Sequence, residues 1–184
     1  MARELFSLRP HPARDASALA LAGAALAAWR WAQLMRRVRI GEQLAFASCV
    51  FECFAADEGP RVLFVGDSVA VGCGAARPED SIAGLLSADF PQATIVNRAR
   101  NGARINQTIA QLRAERDARY DAILLNAGGN DILKGTPFDT LPARIDTLLG
   151  EARRRSDFVL CTTTPNIGLM PMFFPPLFWC TGTD

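Results

Sequence analysis

The chain reads as an α/β protein whose parallel sheet is covered by helices on both faces. Two observations predict this. From Arg61 onward, short continuous apolar runs alternate with stretches of helical spacing. The connections between them are short, as crossover units require. The size agrees: 184 residues, 49% hydrophobic and 21% charged, suffice for one domain with a real core.

The elements follow in order. "RVLFV" (61–65) is a strand buried on both faces. "PEDSIAGLLSADF" (78–90) opens with proline and acids and spaces Ile82, Leu85, Leu86 and Phe90 as a helix does. "ATIVN" (93–97) is the second strand. "RINQTIAQLRAER" (104–116) places Ile105, Ile109 and Leu112 on one helical face. "YDAILLNAG" (120–128) is the third strand. "PFDTLPARIDTLLGEARRRS" (137–156) is a helix with Leu141, Ile145, Leu148 and Leu149 inward and arginines at its carboxyl end, where they suit the helix dipole. "DFVLCTT" (157–163) is the fourth strand.

Ahead of this domain, residues 1–40 form a basic, proline-containing tail and then the Ala-rich run "ASALALAGAALAAWRWAQLM", Ala16 to Met35. Its uncharged part, Ala16 to Trp29, is fourteen residues, against the roughly 18–20 that span a bilayer. Three readings stand open. It is a membrane anchor flanked by Trp29, Trp31 and arginines, a cleaved signal, or a helix lying on the domain or a membrane surface. The chain is accordingly membrane-associated or cytoplasmic. Residues 41–60 are a connector with an apolar middle, in which Cys49 and Cys53 would share a helical face.

Composition excludes some functions. The 20 basic residues against 19 acidic ones leave a net charge of +1, which argues against nucleic-acid binding. The five cysteines, Cys49, Cys53, Cys73, Cys161 and Cys180, are odd in number and lack a metal-binding or disulfide framework, which favours free thiols. The single histidine is His11. "GDSVAVGCGAAR" (66–77) fits neither glycine-rich phosphate-binding pattern.

In a parallel sheet the working residues gather at the carboxyl ends of the strands. The first three strands end in "GDS" (66–68), "NRARNGARI" (97–105) and "GGND" (128–131). Acyl transfer needs a nucleophilic hydroxyl and donors aimed at the developing oxyanion. Ser68 offers the hydroxyl and one backbone N–H. Gly102 offers a second N–H, and Asn130 a side-chain amide. Asp67 is placed to bond nearby backbone and fix the turn. Asp131 reads as a cap for the segment that follows, and Cys73 as a small packing residue.

These residues resemble the SGNH, or GDSL-type, hydrolases. "VGDSVAVGCGA" is similar to that family's first block, Gly102 in "RNGARI" to its second and "GGND" to its third. The similarity runs from residue 61 to about 179. It implies a flavodoxin-like three-layer α/β/α fold, preceded here by the N-terminal hydrophobic helix. It implies hydrolysis of small ester, thioester or acetyl substrates, with Ser68 as nucleophile, Gly102 and Asn130 at the oxyanion, and neither metal nor cofactor. The chain departs from the family pattern in one respect: the closing Asp-x-x-His block is absent from the sequence. The expectation is therefore a domain (61–184) incomplete at its C-terminal end, either weakly active or a non-catalytic, ligand-binding remnant. The apolar stripe "MPMFFPPLFW" (170–179) is then a substrate-facing lip or a surface that a further segment would cover, and the second reading predicts aggregation.

Overall fold

The computed structural model describes residues 12–55, 59–116 and 118–162. His11, Cys180 and the 170–179 stripe lie outside them. The chain divides into two units, Met1–Ile40 and Gly41–Asp184.

The described part of the first unit is one helix, α1 (Pro12–Ala47), which continues into the second. It is longer than the expected 16–35 segment because Gln43, Leu44 and Ala45 are good helix formers and no proline interrupts them. Leu19, Leu21, Trp29 and Trp31 on it are exposed. The anchor expectation is not met: among the described residues no helix is long and apolar enough to cross a membrane. Fourteen uncharged residues rise about 21 Å as a helix, against a hydrocarbon core of about 30 Å, and Arg30 ends the run.

The described residues of the second unit contain four parallel strands, β1 (Arg61–Gly66), β2 (Thr94–Asn97), β3 (Ala122–Asn126) and β4 (Val159–Thr162), in the order β2-β1-β3-β4. Among the described residues five α-helices follow α1 in chain order: α2 (Ser68–Val71), α3 (Ile82–Asp89), α4 (Ile105–Ala114), α5 (Gly129–Leu133) and α6 (Leu141–Arg153). The result is the three-layer α/β/α arrangement the alternation predicts.

On one face Leu63, Val65, Ile123 and Leu125 pack with Ile105, Ile109 and Leu112 of α4 and Leu148 and Ala152 of α6. On the other, Val62, Phe64 and Ile95 pack with Ala83 of α3. Two helical faces differ from their sequence reading. In α3 the large residues Ile82 and Leu85, and Phe90 just after it, are exposed, while Ala83 and Gly84 are buried. Gly84 is held by the turn before the helix, where a Cβ would lie 2.3 Å from the Glu79 carbonyl oxygen, and Ala83 is the residue of α3 buried in the sheet cluster. In α6, Ile145 is exposed and Leu148 and Ala152 carry the contact. The connector is not a free linker, and its cysteines do not share a helix, because α1 ends at Ala47. Cys53 instead forms an antiparallel bridge to Ile95, with N···O distances of 3.1 and 2.8 Å.

Candidate active site at the carboxyl ends of the strands

β1 ends at Gly66, opposite Asn126 of β3. Gly66 has φ of +138°, and a Cβ there would sit 1.9 Å from the Asn126 carbonyl oxygen. Only glycine fits, and the chain swings out of the sheet at this point. Asp67 follows and caps α2, its Oδ1 accepting the Val69 N–H at 3.0 Å. Ser68 is thus the first residue of α2 and is half-buried. Among the described residues its hydroxyl has no hydrogen-bond partner.

The second loop is drawn against this turn. Arg100 N–H donates to the Gly66 carbonyl at 3.0 Å, and Asn97 Nδ2 donates to Ala70 O of α2 at 2.9 Å. Gly102 takes φ of +72°, a left-handed conformation that side chains strain to adopt. Its carbonyl accepts from Lys134 Nζ at 2.8 Å. The third loop supplies Asn130 from the first turn of α5, not from an irregular loop as the sequence suggests. Asn130 Nδ2 donates to Ala103 O at 3.1 Å and to Asp67 Oδ2 at 3.4 Å. One amide therefore touches both the turn that carries Ser68 and the Gly102 loop.

Asp67 is buried at 6% exposure, and among the described residues no cation forms an ion pair with it. Burial pushes its carboxyl above the ordinary aspartate range, and the Val69 N–H partly offsets that. The Asn126 side chain, turned so that both its ends are satisfied, donates to Asp67 Oδ1 at 2.6 Å and accepts from Thr162 Oγ1 at 2.5 Å. Asp67 thus links the ends of β1, β3 and β4 to α5. Among the described residues no buried side-chain nitrogen or oxygen is left without a partner.

Two contributors, Asn126 and Gln111, escaped the sequence reading, and a third, Asp131, does more than the cap it was read as. Asn126 had a signal: Asn97 and Asn126 each end an apolar run with one polar residue. Asp131, fully buried, accepts from the Ile105 N–H that opens α4 at 2.8 Å and from Thr136 Oγ1 at 3.2 Å. It therefore caps the preceding helix as well as tying its own segment, and its carboxylate is committed to that work. Gln111 had no signal, since a glutamine within a helix reads as surface; its side chain instead bonds Gly66. A cavity of about 320 Å³ lies beside the second loop, lined by Arg98, Arg100, Asn101, Gln107 and Gln111 among others. It flanks the site on the α4 side and is not centred on Ser68. Cys73 lies near the site as a half-buried free thiol.

Residues 64–182 match the GDSL-like lipase/acylhydrolase family. The chain belongs to this family. No curated protein matches it. Among solved structures it is similar to AlinE4, an SGNH-hydrolase family esterase, with TM-score 0.51 and 21% identity over 60% of this chain and 63% of that one. It is similar to TesA, with TM-score 0.52 and 22% identity over 61% and 66%. It also resembles a member of the lipolytic protein G-D-S-L family from Veillonella parvula DSM 2008, with TM-score 0.51 and 17% identity over 61% and 63%. At these identities the likeness shows the shared fold. The chain spans less than two thirds of the length of each of these structures.

Proposed function

We propose that this GDSL-family chain is a serine hydrolase of small ester, thioester or acetyl substrates. Ser68 is the nucleophile, and the Ser68 N–H, the Gly102 N–H and the Asn130 amide hold the oxyanion. Residues 61–184 form the hydrolase domain and 41–60 its connector. The observation that carries the reading is the Asn130 amide, which touches both Asp67 beside the serine and Ala103 beside Gly102. In the reaction Ser68 Oγ attacks the acyl carbon and the alcohol or thiol leaves with a proton. Water then releases the acid and restores the serine. The long 3.4 Å bond to Asp67 is the one that Asn130 gives up when it turns to the oxyanion.

The sequence holds one histidine, His11, and no Asp-x-x-His block. Where no imidazole takes the Ser68 proton, oxyanion donors and binding alone sustain an acceleration of roughly 10³–10⁴-fold over water. The test is labelling by a fluorophosphonate probe together with turnover of p-nitrophenyl acetate. Ser68→Ala abolishes both, and Asn130→Ala lowers turnover on the order of 100-fold. A folded chain that neither labels nor turns over ester overturns the reading. It would favour ligand binding without hydrolysis, a role that suits an Asn130 amide whose two N–H groups are already engaged.

A further inference from the structure

At the end of β1 the strand leaves the sheet; the Gly66 carbonyl still accepts the Arg100 N–H at 3.0 Å, while the Gly66 N–H finds its acceptor in a side chain. That one side chain bonds both groups. Gln111, on α4 and 45 residues further along the chain, accepts from the Gly66 N–H through Oε1 at 2.8 Å. Its Nε2 donates to the Gly66 carbonyl at 3.0 Å. Both bonds are buried, and Gln111 is only 8% exposed. A planar amide bonded at both ends to one residue fixes the orientation of that residue's backbone as well as its position. Gly66 is also the residue whose open conformation leaves the chain freest to turn there.

We infer that Gln111 is the positioning residue of the nucleophile turn. It locks Gly66, and through Gly66 the exit angle of Asp67 and Ser68, against α4. The α4 helix is itself fixed on the core by Ile105, Ile109 and Leu112 and capped by Asp131. The path from core to serine therefore runs Leu112, Gln111, Gly66, Ser68. The catalytic consequence rests on the proposed role of Ser68; the clamp does not.

The experiment has two arms on the full chain. Gln111→Met keeps shape and helix propensity but removes both bonds. Gln111→Glu keeps the acceptor for the Gly66 N–H. Leu112→Ala, next on the same helix, is the control for general destabilisation. In the first arm, native-state amide exchange is read at Asp67, Val69 and Val71, whose N–H groups are bonded in the turn. Gln111→Met speeds exchange there by about ten-fold or more relative to β2 and β3 amides, Gln111→Glu by less, and Leu112→Ala speeds all of them together. Uniform exchange in Gln111→Met overturns the clamp.

In the second arm, fluorophosphonate labelling of Ser68 is timed at saturating and limiting probe. The clamp predicts a slower maximal rate in Gln111→Met with half-saturation little changed, and partial recovery in Gln111→Glu. Equal slowing in Gln111→Met and Leu112→Ala overturns it. If the unsubstituted chain does not label, the Ser68 reading falls, and the exchange arm alone decides the clamp.

Discussion

The two faces of the sheet are built on different terms. The face toward α4 and α6 buries Leu63, Val65, Ile105, Leu112, Ile123 and Leu125 at 2% exposure or less. The face toward α3 meets its helix through Ala83 and the half-buried Leu86 and leaves Leu85 and Ile82 in solvent. The polar fastening is just as unequal. Gln111 on α4 holds Gly66, and Asp131 holds the start of α4. Glu151 of α6 binds Arg113 of α4 at 3.0 Å and Arg155 at 2.9 Å. The α3 side sends one bond of this kind toward the site, from Asn97 to Ala70 of α2. The candidate site is therefore mounted on the α4 face, and the α3 face closes the sheet without steering the serine.

The largest effect that would break this contrast is a cavity. Leu112→Ala removes a side chain with no exposed surface and costs about 2–5 kcal/mol. Leu85→Ala, at 57% exposure, costs about 0.5 kcal/mol or less. Urea unfolding of both variants checks the pair. Comparable losses would mean that α3 carries more of the core than its small-residue contact suggests.

Next is the cap on α4. Asp131→Ala leaves the buried Ile105 N–H and the Thr136 hydroxyl without their acceptor and removes the carboxylate 3.9 Å from Arg144. The cost is about 1–3 kcal/mol, read by the same unfolding curves. Because α4 carries Gln111, Ser68 labelling slows as well. Normal labelling in a destabilised Asp131→Ala chain would show that the start of α4 does not control the turn.

How much of this was legible follows from the range of each interaction. The strands were readable because a strand buried on both faces needs a continuous apolar run, and "RVLFV" and "YDAILLNAG" are such runs. Ser68, Gly102 and Asn130 were readable as candidates because each lies just past such a run. The short helices α2 and α5 were not, since four or five residues carry no period. Nor were Gln111 and the reach of Asp131 to α4. Each bonds backbone 45 or 26 residues away, and no local pattern distinguishes a buried glutamine from one facing water. The inner face of α3 was misread for a related reason. Spacing marks Ile82, Leu85, Leu86 and Phe90, but of these only Leu86 joins Ala83 against the sheet cluster.

The smallest effect separates the site from the α4–α6 seam by the sign of its pH dependence. Asp67 has its carboxyl raised by burial, so the folded chain holds that proton more tightly than the unfolded chain. Stability from this group is fully present below the ordinary aspartate value of 3.8 and is lost as pH rises through the higher folded value. At the seam the sign reverses. Bonds from Arg155 and Arg113 hold Glu151 below its ordinary 4.5. Burial raises Glu115, but bonds from Tyr120 and Arg98 outweigh it and hold that carboxyl low too. Stability from these two is present above 4.5 and lost as pH falls through their folded values. Urea midpoints of the unsubstituted chain, Asp67→Asn and Glu151→Gln are to be followed from about pH 3 to pH 8. Relative to the unsubstituted chain, Asp67→Asn gains stability as pH rises past about 4, because the buried charge is gone. Glu151→Gln loses its disadvantage as pH falls below about 4.5. An Asp67→Asn curve parallel to that of the unsubstituted chain would mean that Asn126, Asn130 and the Val69 N–H fully solvate the carboxylate. The site would then carry no electrostatic cost, and the two ends of α4 would differ in geometry alone.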